Sequence, residues 1–177
     1  MRVAVVVAAT LFLGSTTPRR VEVTAENVHS LYKSFDRLTA EPMSVSPTLS
    51  EQCVRFGPKP RTPKAEPSNP HANALVHVYS HGVDPSVFAS PERRFPVGTI
   101  VVKEKLASDL TAEGVGGMQK MEPGYDPEGG DWLYFYGSRS TGFTSGRLEN
   151  CRSCHLGARA SDFVYFVSSH ESADQAR

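Results

Sequence analysis

Apolar residues Val28, Leu31, Tyr32, Phe35 and Leu38 stand at offsets of three, four, seven and ten, with polar residues between them. That spacing is the stripe of an amphipathic helix and predicts one over residues 26–38. Thr24 offers a hydroxyl to cap its first turn, and Pro42 prevents its continuation. From residue 57 to 70, Pro58, Pro60, Pro63, Pro67 and Pro70 arrive every two to four residues. No hydrogen-bonded element survives that density, so the stretch reads as a connector.

Beyond it, four short runs rich in β-branched and aromatic residues are bounded by Gly, Pro, Asp or Ser. They are residues 75–79, 99–103, 132–136 and 163–167. Each reads as a strand. Together they predict an α+β fold: a mainly antiparallel β-sheet with the N-terminal helix laid against it. Nine of the 14 glycines fall between residues 114 and 146, which suggests long backbone-rich loops flanking the Trp132 strand and places Met118 and Met121 in such a loop.

Composition narrows the function classes. Lys and Arg number 19, as do Asp and Glu, so no basic excess exists to neutralise nucleic-acid phosphates or anionic headgroups. A hydrophobic fraction of 39% over 177 residues excludes wholesale disorder and suits a single domain with its own core. The first 17 residues hold one charge, an apolar run from residue 3 to 13 and a small-residue exit. They resemble a secretory signal peptide and predict an exported or periplasmic protein, the alternative being a buried element of the domain itself. The organisation expected is a signal over residues 1–17, helix and connector over 24–70, and the main domain over 71–170.

Three cysteines are too few for a disulfide scaffold. Two of them lie in Cys151-Arg152-Ser153-Cys154-His155, the C-x-x-C-H attachment sequence of haem c. On a helix, Cys151, Cys154 and His155 share one face, so two thiols can bond the porphyrin vinyl groups while the imidazole reaches the iron. A thioredoxin-like redox pair and half of a zinc site completed by Cys53 or His170 are the alternatives. The one short segment after His155 contains no methionine, so the pocket is expected from chain preceding the motif. Met118 or Met121 as a sixth ligand competes with plain packing.

Three blocks in order carry a family resemblance: residues 95–105 (Phe-Pro-Val-Gly-Thr-Ile-Val-Val-Lys-Glu-Lys), residues 130–136 (Gly-Asp-Trp-Leu-Tyr-Phe-Tyr), and residues 151–155 followed by Asp162-Phe163-Val164. Over roughly residues 70–170 the chain resembles the cytochrome P-460 family, to which cytochrome c′-beta also belongs. The resemblance implies a β-rich fold holding one covalent haem c, often as a homodimer, with one protein ligand on iron and an open distal face. Cys151 and Cys154 match the thioether positions, His155 the proximal ligand, and Lys103 the lysine that cross-links to porphyrin in P-460 members. Those members oxidise hydroxylamine, whereas c′-beta members lack the cross-link and bind nitric oxide; as an enzyme of the first kind, this chain is expected to pass electrons to a soluble redox partner. One departure stands out: the distal carboxylate of hydroxylamine-oxidising members falls here at Gly116 or Gly117, with Glu113 and Glu122 the nearest acids.

Strand periodicity puts Lys103 on one face with Thr99 and Val101, opposite Ile100 and Val102. It is then either an inward group over a cofactor or a solvated lysine beside Glu104 and Lys105. His77 and Tyr79 alternate onto one face and are candidates for the distal pocket, against the commoner role of a hydrogen-bonded sheet histidine. Trp132, Tyr134 and Tyr136 form either a core stripe or a haem wall. Three readings thus stand: a hydroxylamine-oxidising cytochrome, a nitric-oxide sink or sensor without turnover, and an electron carrier with axial methionine.

Overall fold

The computed structural model describes residues 21–44, 75–107, 109–138 and 142–165. The signal-like run, the proline-rich connector, Cys53 and His170 lie outside them. Seven strands make one antiparallel sheet: β1 (Asp36–Arg37), β2 (Met43–Ser44), β3 (Leu75–His81), β4 (Ile100–Leu106), β5 (Ala112–Lys120), β6 (Trp132–Ser138) and β7 (Gly142–Gly146). Their order is β1-β3-β4-β5-β6-β7, with β2 also on β3. Helix α1 (Glu149–His155) follows β7 and runs into a 3₁₀ segment, Leu156–Ser161.

The sheet's two faces carry separate cores, and the register shows how. Across the centre, Val78 pairs with Lys103, Lys103 with Gly116 and Gly116 with Tyr136. One row on, Val101 pairs with Met118 and Met118 with Tyr134. Because alternate residues point to opposite faces, these two rows share one side of the sheet. Val101, Met118, Trp132 and Tyr134 pack there with Phe95, Phe163 and Val164, and with the half-buried Cys151 and Leu156 of the C-terminal segment. Ile100, Val102, Val115 and Phe135 pack on the other side with Val28 and Tyr32.

The helix expected over residues 26–38 is not formed. Turns lead into a four-residue 3₁₀ helix, Leu31–Ser34, and Phe35 is already extended. The edge of β3 captures the rest: Asp36 and Arg37 pair with Ser80 and Tyr79, and Leu38 N–H donates to the Val78 carbonyl at 2.8 Å. Sheet pairing has overridden local helix propensity. The stripe itself was a sound reading of burial, since Val28 and Tyr32 are 2% exposed.

The glycine-rich stretch also differs from expectation, because much of it is β5 rather than loop. The aromatic rings of β6 cover its bare backbone: a Cβ at Gly117 would run into the Phe135 ring and the Val101 carbonyl. Met118 is therefore a buried strand residue, 4% exposed. The strand expected at residues 163–167 is absent over 163–165, where Asp162 and Phe163 instead adopt φ of 53° and 65°. Among the described residues no helix is long and apolar enough to cross a membrane.

Candidate functional site

Helix α1 brings Cys151, Cys154 and His155 onto one face, as their spacing requires. Its polar flank is tied down by Arg152, which donates to Asp126 Oδ2 at 2.8 Å and Glu128 Oε2 at 3.1 Å. Tyr165 Oη donates to the Cys154 carbonyl at 3.1 Å. No residue of the helix is fully buried, so its cysteine and histidine face is mostly but not completely covered by protein.

His155 has a defined protonation geometry. Its Nδ1 lies 2.6 Å from the Phe163 carbonyl oxygen. A carbonyl only accepts, so Nδ1 carries the proton and Nε2 keeps its lone pair. Burial, with the Lys103 charge adding to it, pushes the imidazole down from 6.5 to about 4, against the opposing pull of the Phe163 carbonyl. At neutral pH the ring is therefore an uncharged donor with a bare Nε2, flanked by Tyr134 at 5.2 Å and Tyr165 at 5.6 Å between centroids.

The sheet contributes Lys103 from β4, close enough for its charge to act on His155 and itself pushed down by desolvation. Directly across the register stands Gly116, where an added Cβ would meet only the Tyr136 ring at 3.4 Å and the Phe135 carbonyl at 3.9 Å. The Tyr134 hydroxyl is buried with no hydrogen-bond partner. Cys151 is a free thiol pushed up to about 11 by burial, which makes it poor at thiolate chemistry in solution. Cys154 is disulfide-bonded, and not to Cys151.

These observations bear on the alternatives. The two cysteines of the motif do not bridge each other, and Cys151 lacks the lowered pKa of a dithiol redox centre. Among the described residues no three His, Cys, Asp or Glu side chains gather as a metal site. An open cleft of about 580 Å³ is lined by Asp126, Pro127, Glu128, Arg147, Glu149 and Arg152. Its three carboxylates pair with Arg152, Arg147 lies over the Tyr125 ring at 5.3 Å, and the cleft includes none of the motif's cysteines or His155.

The remaining sequence candidates separate by face. Met118 lies on the His155 side, packed into the core. His77 and Tyr79 point to the opposite side and do not join the site. There the Thr39 hydroxyl lies 3.0 Å from His77 Nδ1, and Tyr79 Oη donates to Glu104 Oε2 at 2.9 Å. Glu113 is committed to Lys105 at 3.2 Å. Sequence reasoning missed the groups that hold the His155 turn, namely Arg93, Lys120, Asp162 and the Phe163 carbonyl. The Asp162-Phe163-Val164 block was visible, but a left-handed phenylalanine is rare enough that nothing in its pattern announces one. Comparison of the chain with models of known protein families and with curated proteins finds no match.

Proposed function

We propose that this chain is an exported monohaem c-type cytochrome of the cytochrome P-460 kind that binds small nitrogen species such as hydroxylamine or nitric oxide. Cys151 and Cys154 would hold haem c by thioether bonds and His155 Nε2 would hold the iron. The observation that carries this reading is the Nδ1–H···O=C bond from His155 to Phe163, which fixes the tautomer and leaves a neutral Nε2 donor. The incompletely covered cysteine face of α1, the unpartnered Tyr134 hydroxyl and the side-chain-free strip at Gly116 all fit a group larger than any side chain. Bound there, haem supplies one-electron chemistry and an open coordination position.

The chain's own part is positional. Phe163 orients the imidazole and raises its basicity, Gly116 and Tyr136 follow Lys103 across the strand register, and the desolvated Lys103 amine is the cross-linking candidate. A thioether at Cys154 and a disulfide there exclude one another, so haem attachment requires that sulfur in reduced form.

Peptide mapping after expression in a haem-c-maturing host tests the proposal. One haem on the 151–155 peptide, with a ferric spectrum lacking a six-coordinate low-spin signature, is the expected result. A chain that stays haem-free with Cys154 bridged rejects it. A peptide joining Lys103 to porphyrin, with its red-shifted main band, marks the P-460 type, and an unmodified Lys103 the c′-beta type.

Binding without turnover is the second reading, and one observation favours it. The register sets Gly116 opposite Lys103, Gly117 faces the other core, and the one carboxylate on β5, Glu113, is paired with Lys105, so the strand offers no unpaired carboxylate to take protons from a bound substrate. Consumption of hydroxylamine with an artificial oxidant above the free-haem rate would defeat that reading.

A further inference from the structure

The segment after α1 is held by an unusual number of donors. Arg93 donates to the Val164 carbonyl at 2.9 Å and Arg94 to the Ala160 carbonyl at 3.0 Å. Phe95 N–H donates to Asp162 Oδ2 at 2.9 Å, Lys120 Nζ to Asp162 Oδ1 at 2.7 Å, and Trp132 Nε1 to the Asp162 carbonyl at 2.9 Å. These donors come from the loop before β4, the end of β5 and the start of β6, all remote in sequence. Asp162 is 7% exposed, and its carboxylate and carbonyl together accept three of the five bonds.

What they hold is strained. Asp162 and Phe163 are consecutive residues in the left-handed region, where a bulky side chain is disfavoured. Such a conformation is unfavourable and persists only where its surroundings over-determine it. The strain has a geometric result. It turns two successive carbonyls to different partners, that of Asp162 to the Trp132 indole and that of Phe163 to His155 Nδ1.

We infer that Asp162 is a positioning residue for His155: anchored by Phe95 N–H, Lys120 and Trp132, it holds the reversed turn that aims the Phe163 carbonyl at the imidazole. The inference rests on the haem reading and adds the device that sets the basicity of the iron ligand. A carbonyl held on Nδ1–H makes the ring electron-rich, which strengthens the bond to iron and favours the ferric state.

Asp162→Gly keeps the left-handed backbone and deletes the carboxylate; Asp162→Asn keeps one acceptor; Trp132→Phe deletes the indole donor together with part of a buried ring. In haem-loaded protein, each variant is expected to lower the iron–histidine stretching frequency of the ferrous form in resonance Raman. Each also lowers the ferric-to-ferrous ratio at a fixed potential about tenfold, with Asp162→Asn the mildest. A merely structural role would change haem yield or melting and leave band and ratio untouched. Haem-loaded variants with the wild-type band and ratio overturn this inference alone. A wild-type chain whose His155 carries no iron overturns the haem reading, and this inference with it.

Discussion

His155 sits under opposed demands, since burial and Lys103 disfavour its charge while the Phe163 carbonyl favours it, and the first two win. The consequence is a pH dependence of stability whose sign follows from the direction of the shift. The unfolded chain takes up this proton as pH falls below 6.5, whereas the folded chain resists until about 4. Folding is therefore undisturbed by this group above 6.5 and loses about 3 kcal/mol as pH falls to 4. In haem-free protein, urea midpoints between pH 7 and 4 should fall more steeply for wild type than for His155→Gln, and parallel slopes would refute this. Haem loading should abolish the difference, because a nitrogen bound to iron no longer titrates in this range. The proposed haem-binding residues, Cys151, Cys154 and His155, were legible as candidates because attachment chemistry imposes a spacing that can be read without a structure. Asp162 and Phe163 were not, because their task depends on backbone dihedrals and on donors drawn from far along the chain.

Strand β4 shows how one element serves both sides of the sheet. Val101 and Lys103 face the site, while Ile100, Val102 and Glu104 face the N-terminal segment. Glu104, 9% exposed, accepts from Tyr32 at 2.5 Å and Tyr79 at 2.9 Å, and both phenols are pushed up chiefly by burial. Glu104→Ala leaves the buried Tyr32 hydroxyl and the partly buried Tyr79 hydroxyl without this acceptor and should cost about 2–4 kcal/mol in chemical denaturation. Glu104→Gln keeps an acceptor oxygen and should cost about 1 kcal/mol. A loss under about 0.5 kcal/mol for the alanine variant would show that the hydroxyls find other partners. Alternation predicted the two faces of β4 correctly, and three of the four expected strands formed. The failures share a cause, competition from partners distant in sequence. The stripe over residues 26–38 buries its apolar side as foreseen, but β3 pulls Asp36 and Arg37 into the sheet. The glycines of β5 looked like loop because the rings that cover them belong to β6.

Across the whole molecule, the candidate site joins segments of very different stability. The centre of the sheet is long, continuously paired and buried on both faces. Helix α1 has seven residues, none fully buried, and no side chain caps its start at Leu148. A helix so short is marginal by itself and depends on what it docks against. Here that is Arg152 on Asp126, the bond from Tyr165 to Cys154, and the packing of Cys151 and Leu156 on the sheet. Without haem, α1 should open locally well before the sheet, as segments with few buried apolar contacts do. Two thioethers and an iron ligand on that one face would tie the helix to whatever contacts the porphyrin, including the Lys103 side of β4. Hydrogen exchange should therefore slow at the α1 amides by more than about tenfold on haem loading, equivalent to about 1.4 kcal/mol of local stability, with the β4–β5 centre unchanged. Equal protection across the sheet and α1 would mean that haem stabilises the fold globally. Unchanged protection at α1 would mean that the protein contacts already described hold the helix unaided, and that a cofactor adds nothing to its order.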